Sequence, residues 1–155
     1  MCRGWLLRRT PSASPVASAA LRGYQLRFHK KSKDGSGKAD AYQTGSPSDV
    51  VWGVVFEVDE EEMAGLNSAE GLGHGYSERI VDVTDESGRS YTASTYCAET
   101  RAIDPSLRPY SWYLRLVLEG ARAHNLPPVY VEGVEVVQTW EDPVPDRAAQ
   151  AQGLD

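Results

Sequence analysis

Val50-Val51-Trp52-Gly53-Val54-Val55-Phe56-Glu57-Val58 is an almost unbroken run of β-branched and aromatic side chains. A strand with one wet face alternates apolar and polar residues, so a run of this kind predicts a strand covered on both faces. Ser46-Pro47-Ser48-Asp49 turns the chain into it. On its far side Asp59 offers an N-cap. Glu60, Glu61 and Glu62 then occupy a first helical turn, where the helix dipole favours negative charge. Met63 and Leu66 give this short helix one apolar face, and it is expected to end at Glu70-Gly71, in a loop containing Gly71, Gly73 and Gly75.

Further out, Arg79 to Thr84 and Tyr91 to Tyr96 flank Asp85-Glu86-Ser87-Gly88, a hairpin by spacing and turn chemistry. Upstream, Ala19 to Lys31 reads as one half-buried strand, with Leu21, Tyr24, Leu26 and Phe28 as its apolar positions. A loop at Lys33-Asp34-Gly35-Ser36-Gly37 leads to a short strand over Ala39 to Gln43. Residues 4–9 read as the end of a helix stopped near Thr10-Pro11. Tyr113, Leu114, Val117, Leu118 and Ala121 mark one side of a helix from about Ser111 to His124, broken by Pro127-Pro128. Residues 129–139 fit helix or strand by pattern. Five strands with two or three helices predict an α+β domain whose sheet curls into a small mixed β-barrel, flanked by helices. The domain is expected to span residues 1–140, with a disordered tail over 141–155, where Pro, Ala and Gln leave little to bury.

The bulk properties exclude more than they identify. The chain has 155 residues and a formal charge of −6 at pH 7, which argues against a nucleic-acid partner. Nine of its 16 Lys and Arg residues lie within positions 1–38, against the single acid Asp34. A solvated basic face is the expectation for that stretch. No run approaches the ~20 apolar residues of a membrane span. Cys2 and Cys97 form neither a disulfide framework nor a metal spacing, and His29, His74 and His124 are scattered. Surface or satisfied roles are expected for the histidines, and no metal or other cofactor is implied.

Glu70 is the most informative single position. It follows a helix end and opens a glycine-rich loop closed by Tyr76. Tyr96, Tyr110, Trp112 and Tyr113 share that half of the chain, where packing alone would account for them. In order and spacing, VVWGVVFEV, the acidic helix, LNSAEGLGHGY, the hairpin, STYCAE and RPYSWYLRLVLEGARAHNLP resemble the gamma-glutamylcyclotransferase family, its bacterial members in particular. RGYQLRFHKKSKDGSGKADA matches the family's early strand and loop, so the resemblance covers residues 1 to about 139.

The resemblance implies a cytoplasmic enzyme of lyase or transferase type, linked to glutathione metabolism. Such an enzyme cyclises a gamma-glutamyl amino acid or amine to 5-oxoproline and releases the amine. It implies Glu70 as general acid/base, Tyr113, Tyr76 and Tyr96 as substrate-binding residues, and a helix within 129–139. The implied partner is a small-molecule gamma-glutamyl substrate, and a homodimer stays open. Met1 to Arg9 match the helix that follows the family's Tyr-Gly-Ser-Asn loop, whose backbone amides are thought to hold substrate. The expectation is therefore a start codon assigned too late. The alternatives are a non-catalytic remnant domain and a relative acting on gamma-glutamyl-amines or a biosynthetic intermediate.

Overall fold

The computed structural model describes residues 10–69 and 72–152. The helix expected over residues 4–9 lies outside the described residues. The described chain runs β1 (Ser14–Arg22), β2 (Tyr24–Lys31), β3 (Gly37–Gln43), β4 (Val50–Glu57), α1 (Glu60–Ala69), β5 (Tyr76–Asp85), β6 (Ser90–Ala98), a 3-10 turn (Thr100–Ala102), α2 (Ser111–Ala123), α3 (Pro128–Glu135) and α4 (Pro145–Gln152).

Four strands form one sheet in the order β4-β1-β5-β6, and β2 pairs with β3 in a separate two-stranded ribbon. All of these pairings are antiparallel. The ribbon lies across the gap between the outer strands, β3 against β6 and β2 against β4. The sheet thus curls into a small barrel-like wall, and helices cover its outside.

The strand expected over Ala19 to Lys31 is two strands in two different sheets. Gly23 separates them at φ 82°, a conformation that costs glycine little and other residues more. Its N–H donates to Asp49 O at 2.8 Å, and its carbonyl accepts from the Thr44 and Gly45 amides at 2.8 and 3.0 Å. The large apolar positions change parity at this point, from Leu21 to Tyr24, Leu26 and Phe28. A single strand keeps one parity per face, so the break is marked in the pattern.

The run that begins at Val50 is covered on both sides, as its composition requires. Val51 and Val55 pack on the cluster of Ala19, Leu21, Tyr24, Val81, Val83 and Cys97. Trp52 and Val54 face the other way, against Ala121, Leu126 and Val131 of the helical layer. Residues 128–135 are helical, with Val131 and Val134 turned inward. Within the expected tail the structure has α4, and Asp142 just before it accepts from Trp112 Nε1 at 2.8 Å and pairs with Arg147 at 3.2 Å. Polar partners hold this segment, and a reading for apolar burial passes over them.

Candidate functional site

Ala39, in the middle of β3, is the point on which the candidate site converges. Phe28 is its cross-strand partner. Both of its main-chain polar groups go to tyrosine hydroxyls: Ala39 N donates to Tyr113 Oη at 3.2 Å, and Tyr76 Oη donates to Ala39 O at 2.7 Å. A strand edge must place its N–H and C=O groups somewhere. Here two side chains from distant elements, the first turn of α2 and the start of β5, take the place of another strand. The structure therefore brings Tyr76 and Tyr113 together although 37 positions separate them in sequence.

Tyr96 lies on β6, opposite Glu78 of β5, while Tyr76 is paired with Ala98. Side chains alternate along a strand, so Tyr76 and Tyr96 share one face of this hairpin. The Tyr96 hydroxyl donates to Asn67 Oδ1 of α1. Asn67 O in turn accepts from Leu72 N at 3.0 Å. Glu70, the expected catalytic carboxylate, lies outside the described residues. On both sides of residues 70 and 71, then, the described chain is tied to this tyrosine face: Asn67 by the hydroxyl of Tyr96, and Leu72 through Asn67 and an isolated bridge to Tyr76.

Behind the tyrosines is a polar pair only faintly signalled by the residue pattern. His29 Nε2 and Asp40 Oδ2 are 2.7 Å apart, with side chains only 7% and 1% exposed. The second carboxylate oxygen, Asp40 Oδ1, accepts from Ala98 N at 2.7 Å and so joins the ribbon to β6. His29 fits the expectation of a satisfied histidine. What was missed is Asp40, and the available signal was an acid inside an otherwise apolar strand, Ala39 to Tyr42. Cys97 is buried beside this pair and free; burial, then the nearby Asp40 charge, pushes its thiol up, so it is no ready nucleophile.

The basic stretch is only partly a solvated face. Arg27, Lys30 and Lys38 lie on the ribbon strands, and each sits over an aromatic ring. The Arg27 guanidinium is 4.0 Å from the centroid of Tyr42, and Lys30 Nζ is 4.7 Å from that of Tyr76. Lys38 Nζ is 4.4 Å from Tyr113 and 4.9 Å from Trp112. Cation–π contacts of this kind are worth more as water is withdrawn. Lys38 is also paired with Asp34 at 2.7 Å. Burial pushes the Asp34 carboxyl up, but hydrogen bonds from Lys38 and Ser36 outweigh it and hold it at about 2.

Among the described residues no three His, Cys, Asp or Glu side chains are grouped to hold a metal ion, and no helix is long and apolar enough to cross a membrane. Tyrosine hydroxyls, ring faces and two ammonium groups are suited to binding a small polar molecule that carries negative charge.

Comparison with known proteins gives the same class. The model of the AIG2-like family matches residues 50–134. The human gamma-glutamylcyclotransferase is 29% identical over 136 residues, which are 84% of this chain and 70% of the relative. An uncharacterized human protein of known structure superposes with a TM-score of 0.84 at 25% identity, covering 97% of this chain and 90% of that one. A gamma-glutamyl cyclotransferase structure superposes with a TM-score of 0.85 at 24% identity over 99% of this chain and 93% of that one, a likeness of fold. The chain belongs to the AIG2-like family, as a gamma-glutamylcyclotransferase-like protein. It is an enzyme of that type.

Proposed function

We propose that this chain cyclises a gamma-glutamyl amino acid to 5-oxoproline and releases the amino acid, with Glu70 as general acid/base. The observation that carries the reading is the convergence of Tyr76 and Tyr113 on Ala39, with Tyr96 anchored to Asn67 three residues before Glu70. Three aromatic residues and the chain on both sides of that glutamate thereby share one face of the fold.

The chemistry asks for little more. The substrate's α-ammonium is not nucleophilic until it loses a proton, and a carboxylate within reach can take it. The amine nitrogen then attacks the γ-carbonyl carbon, forming the ring C–N bond. When the tetrahedral intermediate collapses, the bond to the departing nitrogen breaks, and the same carboxyl returns its proton to that nitrogen. Because nucleophile and electrophile belong to one molecule, the protein's main task is to hold a folded, near-attack conformer. Tyr113, Tyr76 and Tyr96 supply rigid ring faces for that, with hydroxyls already fixed by backbone and Asn67.

The test is incubation with gamma-glutamyl-alanine, following 5-oxoproline. The wild-type chain is expected to release it, and Glu70→Gln to lower kcat by about 100-fold or more, the scale of losing a positioned acid/base. Retained activity in Glu70→Gln would remove Glu70 from the mechanism. A wild type with no 5-oxoproline release would favour the non-catalytic reading, and turnover of gamma-glutamyl-amines alone the relative that acts on amines.

A further inference from the structure

We propose that Lys30 is a substrate-binding residue whose ammonium pairs with a carboxylate of the gamma-glutamyl substrate. The inference rests on the function proposed above and adds the group that recognises the substrate's charge.

Lys30 and Lys38 are paired directly across β2 and β3. Like charges opposite one another on a ribbon destabilise it. The two are not equivalent, however. Lys38 is compensated by Asp34. Lys30 is half-buried, and among the described residues it takes part in no ion pair; its contact is the Tyr76 ring. Burial, then the charges of Lys38 and Lys33, lower its pKa from the ordinary lysine value. A cation held in this way, against another cation and partly out of water, is a place where an anion gains most from binding.

The position of Lys30 is also built. Gly75 has φ 110°, and a Cβ there would lie 3.0 Å from Lys30 Cε and 3.0 Å from Ala102 Cβ. The glycine lets the chain at Gly75 lie against the lysine stem. Glu99 N holds Gly75 there by donating to its carbonyl at 2.9 Å. Backbone pairing of Lys30 with Ile103 fixes the lysine from the other side. The ammonium therefore stands between the ring of Tyr76 and Gly75, next to the tyrosine pair at Ala39. A gamma-glutamyl amino acid carries two carboxylates, one on the glutamyl part and one on the amino acid released, and either fits this chemistry.

Steady-state kinetics on wild type, Lys30→Met and Lys30→Arg test the proposal. Lys30→Met keeps the aliphatic stem against Gly75 and drops the charge. With gamma-glutamyl-alanine, KM is expected to rise about tenfold or more with kcat within about threefold, and Lys30→Arg to stay within about threefold of wild type. An unchanged KM in Lys30→Met, or an equal rise in Lys30→Arg, would overturn the proposal. A second substrate, gamma-glutamyl-ethylamide, lacks the carboxylate on the released part. If the Lys30→Met effect vanishes with it, the lysine holds the released amino acid; if it persists, the lysine holds the glutamyl carboxylate. If wild type releases no 5-oxoproline, it is the catalytic reading that fails. Titration calorimetry with gamma-glutamyl-alanine then decides on Lys30, binding to wild type and loss in Lys30→Met supporting it, and equal or no binding overturning it.

Discussion

The two sheets of this fold are held together by different means. The four-stranded sheet packs Ala19, Leu21, Val81 and Val83 into an apolar cluster, the ordinary economy of a sheet core. The β2–β3 ribbon buries His29, Ser36 and Asp40, stacks Arg27, Lys30 and Lys38 on rings, and closes its edge at Ala39 with two tyrosine hydroxyls. Buried polar groups are expensive unless every one finds a partner. A ribbon that carries so many of them gives up stability for a defined arrangement of charge and hydroxyl groups, which is what a binding site needs. The comparison assigns apolar packing mainly to one sheet and buried polar and charged groups mainly to the other, and it can be broken by substitutions placed in each.

Asp40→Ala is expected to have the largest effect. It removes at once the acceptor for Ala98 N and the partner of His29, both out of water. Breaking a buried polar pair while leaving its partner behind costs about 3–4 kcal/mol. Urea unfolding should register that loss, and a decrease below about 1 kcal/mol would show that the pair is not what joins the ribbon to β6.

Gly37→Ala against Gly53→Ala makes the sharper contrast. A Cβ on Gly37 would sit 2.2 Å from Phe28 O, a backbone atom of the paired strand, whereas a Cβ on Gly53 of β4 meets nothing within 4 Å. Overpacking of this kind costs about 1–3 kcal/mol or more, and a residue with free space around it should be close to neutral or stabilising in a strand. Thermal unfolding should therefore place Gly37→Ala about 3–10 °C below wild type and leave Gly53→Ala near it. Equal melting of the two would mean that the ribbon can spread to admit the methyl group.

Three strands of the larger sheet, β4, β5 and β6, were legible in the sequence, and β1 and the ribbon only in outline. VVWGVVFEV points to its own environment, because a nearly uninterrupted run of β-branched and aromatic residues suits a strand covered on both faces. The α2 face and the hairpin turn at Asp85 to Gly88 were equally plain. The division at Gly23 was carried by a change in which positions are apolar, a weaker signal than the alternation that ran through it. The segment from Glu141 offers little apolar signal for a related reason: α4 and its approach are tied by Trp112, Asp142 and Arg147, and the Trp112–Asp142 bond joins positions 30 apart. Tyr76, Tyr96 and Tyr113 were selected by resemblance, and their meeting at Ala39 and Asn67 has no trace in spacing. Lys30 and Lys38 look like surface lysines until the register of the ribbon sets them opposite one another.

Acid provides the smallest and most selective probe of the ribbon. Asp34 has its carboxyl held at about 2 in the folded chain, against an ordinary 3.8, by hydrogen bonds from Lys38 and Ser36 that outweigh its burial. A depressed carboxyl contributes stability that is fully present above the unfolded value and is lost as pH falls through the folded one, so the loss runs from about pH 4 down to about pH 2. The full shift would be worth about 2 kcal/mol; with the Asp34 and Lys38 side chains 17% and 18% exposed, screening by water reduces it to about 1 kcal/mol. Asp49, Asp85 and Asp104 are also lowered, chiefly by hydrogen bonds from Thr44, Ser87 and Ser106, and add to any acid slope of the whole protein. The difference between wild type and Asp34→Asn isolates the ribbon, because asparagine keeps an acceptor for Ser36 and loses the titration. Unfolding free energies of the two should converge as pH drops from about 4 to about 2. Parallel curves across that range would place the Lys38 charge in water, and the cross-strand lysine pair would then need no compensating anion at all.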